Sequence, residues 1–164
     1  MLSTMTPAIG IAVYSLNATE ANFEYADYRW HIVLSPTAFD SPETRLYSVT
    51  WDAPRRRWYT SHRIAPLQST PNLIGVLKIS LLPNLPLRLS VLHEFIQQFP
   101  AKAEGYSTKG RGWSCTMYTV NILENLAEAG CIWLPCPVQG IIARGEESMK
   151  RLATAPATLK VLPL

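Results

Sequence analysis

Cys115 ends the run Gly112-Trp113-Ser114-Cys115, behind a glycine-rich basic stretch and ahead of a helical pattern. A cysteine in the first turn of a helix meets unpaired backbone N–H groups and the positive end of the dipole, which favour a thiolate. The same N–H groups suit an oxyanion. A thiol nucleophile needs a base, and His31 supplies one if its strand turns the Arg29/His31/Val33 face towards that helix end. Cys115 and His31 are therefore the candidate catalytic pair for attack on an amide or ester. Spacing alone, with no third partner, favours a plainer role: a small buried hydrophobe and a polar residue on a half-exposed strand. Asp40, Asp52 and Glu24 are available to orient a histidine, but no spacing places any of them beside one. His62 is a second candidate base if its own strand faces Cys115, and His93 reads as a helix surface residue. Trp113, Trp30, Trp58 and Tyr106 suit the wall of an apolar pocket, though core packing accounts for Trp30 and Trp58 as well.

Elements must position these residues. Residues 9–16, IGIAVYSL, form a short apolar run. Residues 28–34 alternate, with Tyr28, Trp30, Ile32 and Leu34 on one face and Arg29, His31 and Val33 on the other. Residues 45–51 and 56–64 read as two strands of a hairpin turning at Asp52-Ala53-Pro54. Residues 73–82 give a longer strand whose Leu73, Gly75, Leu77, Ile79 and Leu81 face carries no polar side chain. The period then changes. Asn84 is a plausible N-cap and Pro86 lies just inside. Leu85, Leu89, Leu92, Phe95, Ile96 and Phe99 recur at helical steps until Pro100, predicting about four turns. A second helix is predicted from Ser114 to about Ala129, with Gly130 as its C′ residue. Residues 131–142 read as Pro-punctuated coil or a short strand, and 145–153 as a last short helix. Strands followed by two main helices predict an α+β fold with an antiparallel sheet of about five strands, in a single domain spanning 1–164.

Composition narrows the partners. Of 164 residues, 48% are hydrophobic and 16% charged, which argues against disorder. The net charge of +3 is too small to indicate nucleic acid, and Arg55-Arg56-Arg57 reads as a solvated loop. No stretch reaches the ~18 apolar residues of a membrane span. The N-terminal MLSTMTPAIGIAVYSL lacks a basic n-region and reads as a first strand, so a cytoplasmic location is expected. Three cysteines without an export signal favour free thiols. Cys131 and Cys136 lack the two-residue spacing of a zinc half-site, and no nucleotide or zinc-protease motif occurs, so no metal or cofactor is expected. The expected partner is a small-molecule substrate; oligomeric state is not readable.

The order of strands, helix, Gly-Trp-polar-Cys and helix resembles a family of small uncharacterised fungal proteins related to the permuted papain-like, lecithin–retinol acyltransferase-type cysteine enzymes. The likeness lies in Tyr28 to Leu34, Thr44-Arg45-Leu46-Tyr47, Trp58 to Ile64, Asn72 to Ile79 and Gly112-Trp113-Ser114-Cys115, covering roughly residues 9–135. The resemblance implies a thiol nucleophile at Cys115 and chemistry of the hydrolase or acyl-transfer kind. The family pattern has histidine directly after the strand's Tyr, where this chain has Arg29; His31 lies about 6–7 Å further along the same face. Tyr47 stands at a second histidine position of the pattern. An arginine cannot accept a proton at physiological pH, but it binds carboxylates. The departure leaves three alternatives. One is a Cys115–His31 thiol hydrolase or acyltransferase. Another is a non-hydrolytic cyclase or isomerase of specialised metabolism, using Cys115, Arg29, Tyr47 and His62, with Trp113 at the pocket. The third is a degenerate binding protein.

Overall fold

The computed structural model describes residues 5–15, 28–83, 87–107, 112–154 and 160–164. The strands are β1 (Ala8–Ser15), β2 (Tyr28–Ser35), β3 (Arg45–Tyr47), β4 (Val49–Asp52), β5 (Arg57–Thr60), β6 (Arg63–Ile64), β7 (Leu73–Leu81), β8 (Ile132–Trp133) and β9 (Val161–Pro163). The helices are α1 (Leu89–Gln97), α2 (Cys115–Glu128) and α3 (Val138–Thr154). Seven strands form one sheet in the order β6-β3-β2-β1-β7-β8, with β9 also paired to β7; β4 and β5 make a separate ribbon. Among the described residues only the β7–β9 pairing is parallel.

The fold is mixed α+β with a mostly antiparallel sheet, as the pattern predicts. The expected five strands and two main helices are corrected to a larger sheet, a separate ribbon and three helices among the described residues. Residues 131–142 read as Pro-punctuated coil or a short strand because Pro135, Pro137 and Gly140 are helix breakers in isolation; Ile132–Trp133 do form β8, but 138–142 are helical and run on into the expected 145–153 helix as α3. In the fold, Ile141, Ile142, Gly145, Met149 and Leu152 form one buried stripe, and packing outweighs propensity. A Cβ on Gly145 would fall inside the Trp30 ring, so the glycine is what lets α3 lie against β2. The expected four-turn first helix is also shorter, starting at Leu89 after Arg88, which makes no side-chain cap. Asn84, Leu85 and Pro86 lie outside the described residues, as does Glu24.

Both faces of the sheet are covered, which is why β1 is apolar on both sides. Ile9, Ile11, Val13, Trp30, Ile32, Leu34, Leu77 and Ile79 pack against the three helices in the main core. Ala12, Tyr14, Val33, Leu46 and Val76 pack on the opposite face with Phe39 and Leu67. The predicted uniform face of 73–82 breaks at one point. A register shift opposite Val13/Tyr14 moves Leu73 to the second cluster.

The two long hairpin strands are each interrupted, at Ser48 and at Ser61-His62, so that β4–β5 leaves the main sheet. The Ser61 N–H donates to the Ser48 carbonyl at 2.8 Å and ties the two breaks together. The ribbon turns at residues 53–56, where the Asp52 carboxylate accepts from Arg55 Nη1 at 2.9 Å and from its backbone N–H at 3.2 Å. Arg55, Arg56 and Arg57 are exposed, but only the first two lie in the turn; Arg57 opens β5, paired with Asp52. No described helix is long and apolar enough to cross a membrane.

Candidate active site

Helix α2 is held at both ends. Ser114 is its N-cap: the Met117 N–H donates to Ser114 Oγ at 3.2 Å. At the other end Gly130 has φ +74°, its N–H donates to Ala127 and the Cys131 N–H donates to Leu126, which makes a Schellman motif. Thr116 to Leu123 are all buried, so the helix is central. Thr119 Oγ1 donates to the Trp30 carbonyl at 3.1 Å and fixes α2 across β2. Cys115 is thereby set as the first residue of a buried, fixed helix.

A cavity of about 520 Å³ opens at this helix start. Tyr28, Arg29 and His31 of β2 line it, with Ser48, Val49, Thr50 and Trp51, Trp58 and Ser61, and Ser114, Cys115 and Thr116. Three predicted site residues, Cys115, His31 and Arg29, thus share one cavity. They reach it differently from the expectation. The Trp30/Ile32/Leu34 face packs on the helices, and the Arg29/His31/Val33 face looks away from them. His31 and Cys115 therefore lie on opposite sides of β2, and no hydrogen bond joins them among the described residues.

Burial governs the charge state of both. It pushes the Cys115 thiol up, against the opposing pull of a hydrogen bond from the Trp30 backbone, the charge of Arg29 and hydrogen bonds from Thr116. The expectation of a thiolate at the helix start is corrected here: desolvation outweighs the helix end. Burial lowers His31 to about 4, helped by Arg63 and then Arg29. His31 Nδ1 is buried with no hydrogen-bond partner among the described residues. Its ring packs on Tyr14 at 4.7 Å between centroids. At neutral pH the cavity thus holds an uncharged thiol and an uncharged imidazole. Among the described residues no carboxylate lines it. Asp52 is engaged by Arg55 and Asp40 is exposed, so neither orients His31.

The other predicted site residues lie elsewhere. Tyr47 is buried on the helix side of the sheet, and its hydroxyl hydrogen-bonds His93 Nδ1 at 2.6 Å. Burial pushes Tyr47 up to about 12. His62 Nε2 hydrogen-bonds the Tyr118 hydroxyl at 3.2 Å, and its ring meets Tyr47 edge-on at 4.9 Å. Arg45 Nη1 lies 3.3 Å from His93 Nε2. His93 is thus no free surface residue but part of a tyrosine–histidine cluster joining β3, α1 and α2. Its place on the Leu89/Ile96 stripe, four and three residues away, was the available signal. Trp113 Nε1 donates to the Ala101 carbonyl at 2.8 Å and its ring packs on Tyr106, so it braces the loop before α2. Tyr47, His62 and Trp113 are not among the lining residues, whereas Ser48, Thr50, Trp51 and Ser61 are and sequence reasoning missed them. The three cysteines are all free.

No family model matches this chain, and no curated protein or solved structure matches it.

Proposed function

We propose that the cavity at the start of α2 is a small-molecule catalytic site for proton transfer beside a carbonyl, of the isomerase or cyclase kind. The single observation that carries this reading is the pairing of an uncharged imidazole with an uncharged thiol on two sides of one cavity. Groups whose environments push their pKa values apart are matched as base and acid. Here the base is unprotonated and the acid protonated together at neutral pH, with no ion pair to break.

His31 takes a proton from the carbon next to a substrate carbonyl, while the Cys115 thiol gives its proton to the carbonyl oxygen. The product of that step is an enol, an imidazolium and a thiolate. The imidazolium then protonates a different carbon of the conjugated system, and the thiolate recovers the enol proton. The thiolate formed in passing meets the Trp30 backbone, Thr116 and Arg29. With Nδ1 buried, Nε2 is the nitrogen left for a substrate. An imidazole this weakly basic suits a C–H bond already activated by protonation of the carbonyl.

The test is solvent-deuterium exchange at the benzylic carbon of phenylpyruvate, an aromatic keto acid, followed by proton NMR. Exchange above the buffer rate is expected. His31→Gln should lower it about 100-fold or more, the usual scale of a general base. Cys115→Ser should lower it less, because a hydroxyl still donates. No exchange above buffer, or equal exchange in His31→Gln, overturns this reading.

A thiol hydrolase or acyltransferase is the second reading. It is favoured by Cys115 as the first residue of α2, with backbone donors around its sulfur. A strand ahead of a Cys-bearing helix also suits the permuted papain-like arrangement. That reading requires an acyl-enzyme. Incubation with p-nitrophenyl acetate would leave one acetyl group on Cys115 by peptide mass spectrometry; its absence from Cys115 counts against hydrolysis.

A further inference from the structure

Among the described residues, no carboxylate stands against the cations around the cavity. Among the described residues the lining carries Arg29 and no carboxylate. Arg29 is exposed and has no ion-pair partner among the described residues; the ion pair there is Arg55–Asp52, at the ribbon turn. A second guanidinium stands nearby. Arg63 is paired with Leu46, and Leu46 with Val33, so Arg63 lies on the His31 face of the sheet. Both arginines act on His31, and Arg29 acts on Cys115 as well. The first-turn N–H groups of α2 add partial positive charge, of which Ser114 Oγ takes up the one at Met117. Neither the thiol nor the imidazole offsets this field, since both are uncharged at rest.

The rest of the wall is aromatic. Trp51 and Trp58 meet across the ribbon at 5.5 Å between ring centroids, and Trp51 is 46% exposed beside the cavity. A large tryptophan left half in water at the mouth of a cavity is area available to a ligand. A cavity of about 520 Å³ is of the size that encloses a small organic molecule.

The geometry points to a small organic anion as the ligand of this cavity: a planar aromatic or unsaturated body that bears a carboxylate, with the carboxylate on Arg29 and the body against Trp51 and Trp58. This rests on the assignment of the cavity as the working site. It goes further by naming the charge and shape of what enters. A guanidinium holds a carboxylate through two parallel N–H donors, and a neutral ligand of the same shape forgoes that contact. A cationic ligand is repelled by Arg29, Arg63 and the helix end together.

Two alkylating reagents that differ in charge test this in one tube. Iodoacetate is an anion and iodoacetamide is neutral, and Cys131 and Cys136 lie outside the cavity lining as internal standards. The iodoacetate-to-iodoacetamide rate ratio at Cys115 should exceed the ratio at the standards by about ten-fold or more, the scale on which a charged cleft enriches its ligand. Arg29→Gln should remove most of that excess and Arg29→Lys should keep part of it. A ratio at Cys115 no higher than at the standards overturns the proposal and leaves Cys115 as a reactive centre. If Cys115 resists both reagents, quenching of tryptophan fluorescence by 1-naphthoate against 1-naphthamide decides. Tighter naphthoate binding that depends on Arg29 supports the anion site, and equal or absent binding overturns it. Naphthoate binding without His31-dependent deuterium exchange would uphold the anion site and sink the proton-transfer reading, so the two failures are distinguishable.

Discussion

At the scale of single residues, burial decides more than neighbours do. Cys115 sits where a helix end should favour its thiolate, yet desolvation raises it, and the charge of Arg29 only moderates that. Alkylation of Cys115 by iodoacetamide against pH should therefore give an apparent pKa above the ordinary thiol range. Arg29→Gln should move it higher still. A midpoint below that of Cys131 and Cys136 would show the helix end and Arg29 to dominate instead. His31 carries the converse consequence. Held near 4 by burial and two arginines, it stays uncharged across the neutral range. Exchange catalysed by the imidazole should be flat from about pH 6 to 8 and fall on the acid side as His31 protonates. A descending acid limb centred near 6.5, read from the exchange rate, would mean that the imidazole is solvated and free.

At the scale of elements, the first turn of α2 lines the site and α3 backs the strand that crosses it. Loss of the Ser114 cap in Ser114→Ala should cost about 1 kcal/mol in chemical denaturation, the usual value for such a cap. The same change loosens the first turn that holds Cys115, so the alkylation rate there should change while Cys131 does not. The two glycines of α3 make a contrasting pair. A Cβ at Gly145 collides with the Trp30 indole, so Gly145→Ala should destabilise by about 1–3 kcal/mol despite the better helix propensity of alanine. At Gly140 the nearest atom to a new Cβ is Cys136 Sγ at 3.5 Å, an ordinary contact. Gly140→Ala should stabilise by up to about 1 kcal/mol. Equal effects from the two substitutions would mean that α3 does not press on β2 at Gly145. The β4–β5 ribbon was legible as a hairpin from its alternation and its Asp-Ala-Pro turn. Its departure from the sheet was not, because the break at Ser48 and Ser61 follows from where the ribbon packs and from no local breaker residue.

At the scale of the whole molecule, uncharged histidines tie folding to pH. His31, His62 and His93 are all lowered, chiefly by burial. Arg63 and Arg29 face His31, His93 acts on His62, and Arg45 opposes the charging of His93 while Glu94 favours it. The unfolded chain takes up protons at these residues near pH 6.5, whereas the folded chain does so only at lower pH. Stability is therefore full above about pH 6.5 and is lost as pH falls towards 4. The His31 contribution alone is on the order of 3 kcal/mol across that window. Thermal melts at pH 7.5 and pH 5 should show a lower Tm at pH 5, and His31→Gln should shrink the difference. A difference unchanged by His31→Gln would place the effect on other groups. The tyrosine–histidine cluster adds to it by joining β3, α1 and α2, so that acid weakens the link between sheet and helices.

The chain by itself determined the α+β class, three strands expected at 9–16, 28–34 and 73–82 and found at 8–15, 28–35 and 73–81, and helix α2 with its Ser114 and Gly130 ends, because periodicity and caps are local properties. It also marked Cys115 and His31, since few residue types carry that chemistry, while Arg29 was marked only by the family resemblance. What tertiary structure alone decided is which of the marked residues meet. Alternation places His31 and Trp30 on opposite faces of β2 but does not say which face the helices cover. That followed from the larger apolar area of Trp30, Ile32 and Leu34 against the helix cores. Tyr47, His62 and His93, spread over 47 residues of chain, were drawn together by packing that no spacing announces. The charge states of Cys115 and His31 were likewise set by desolvation, which exists only once the rest of the chain has closed around them.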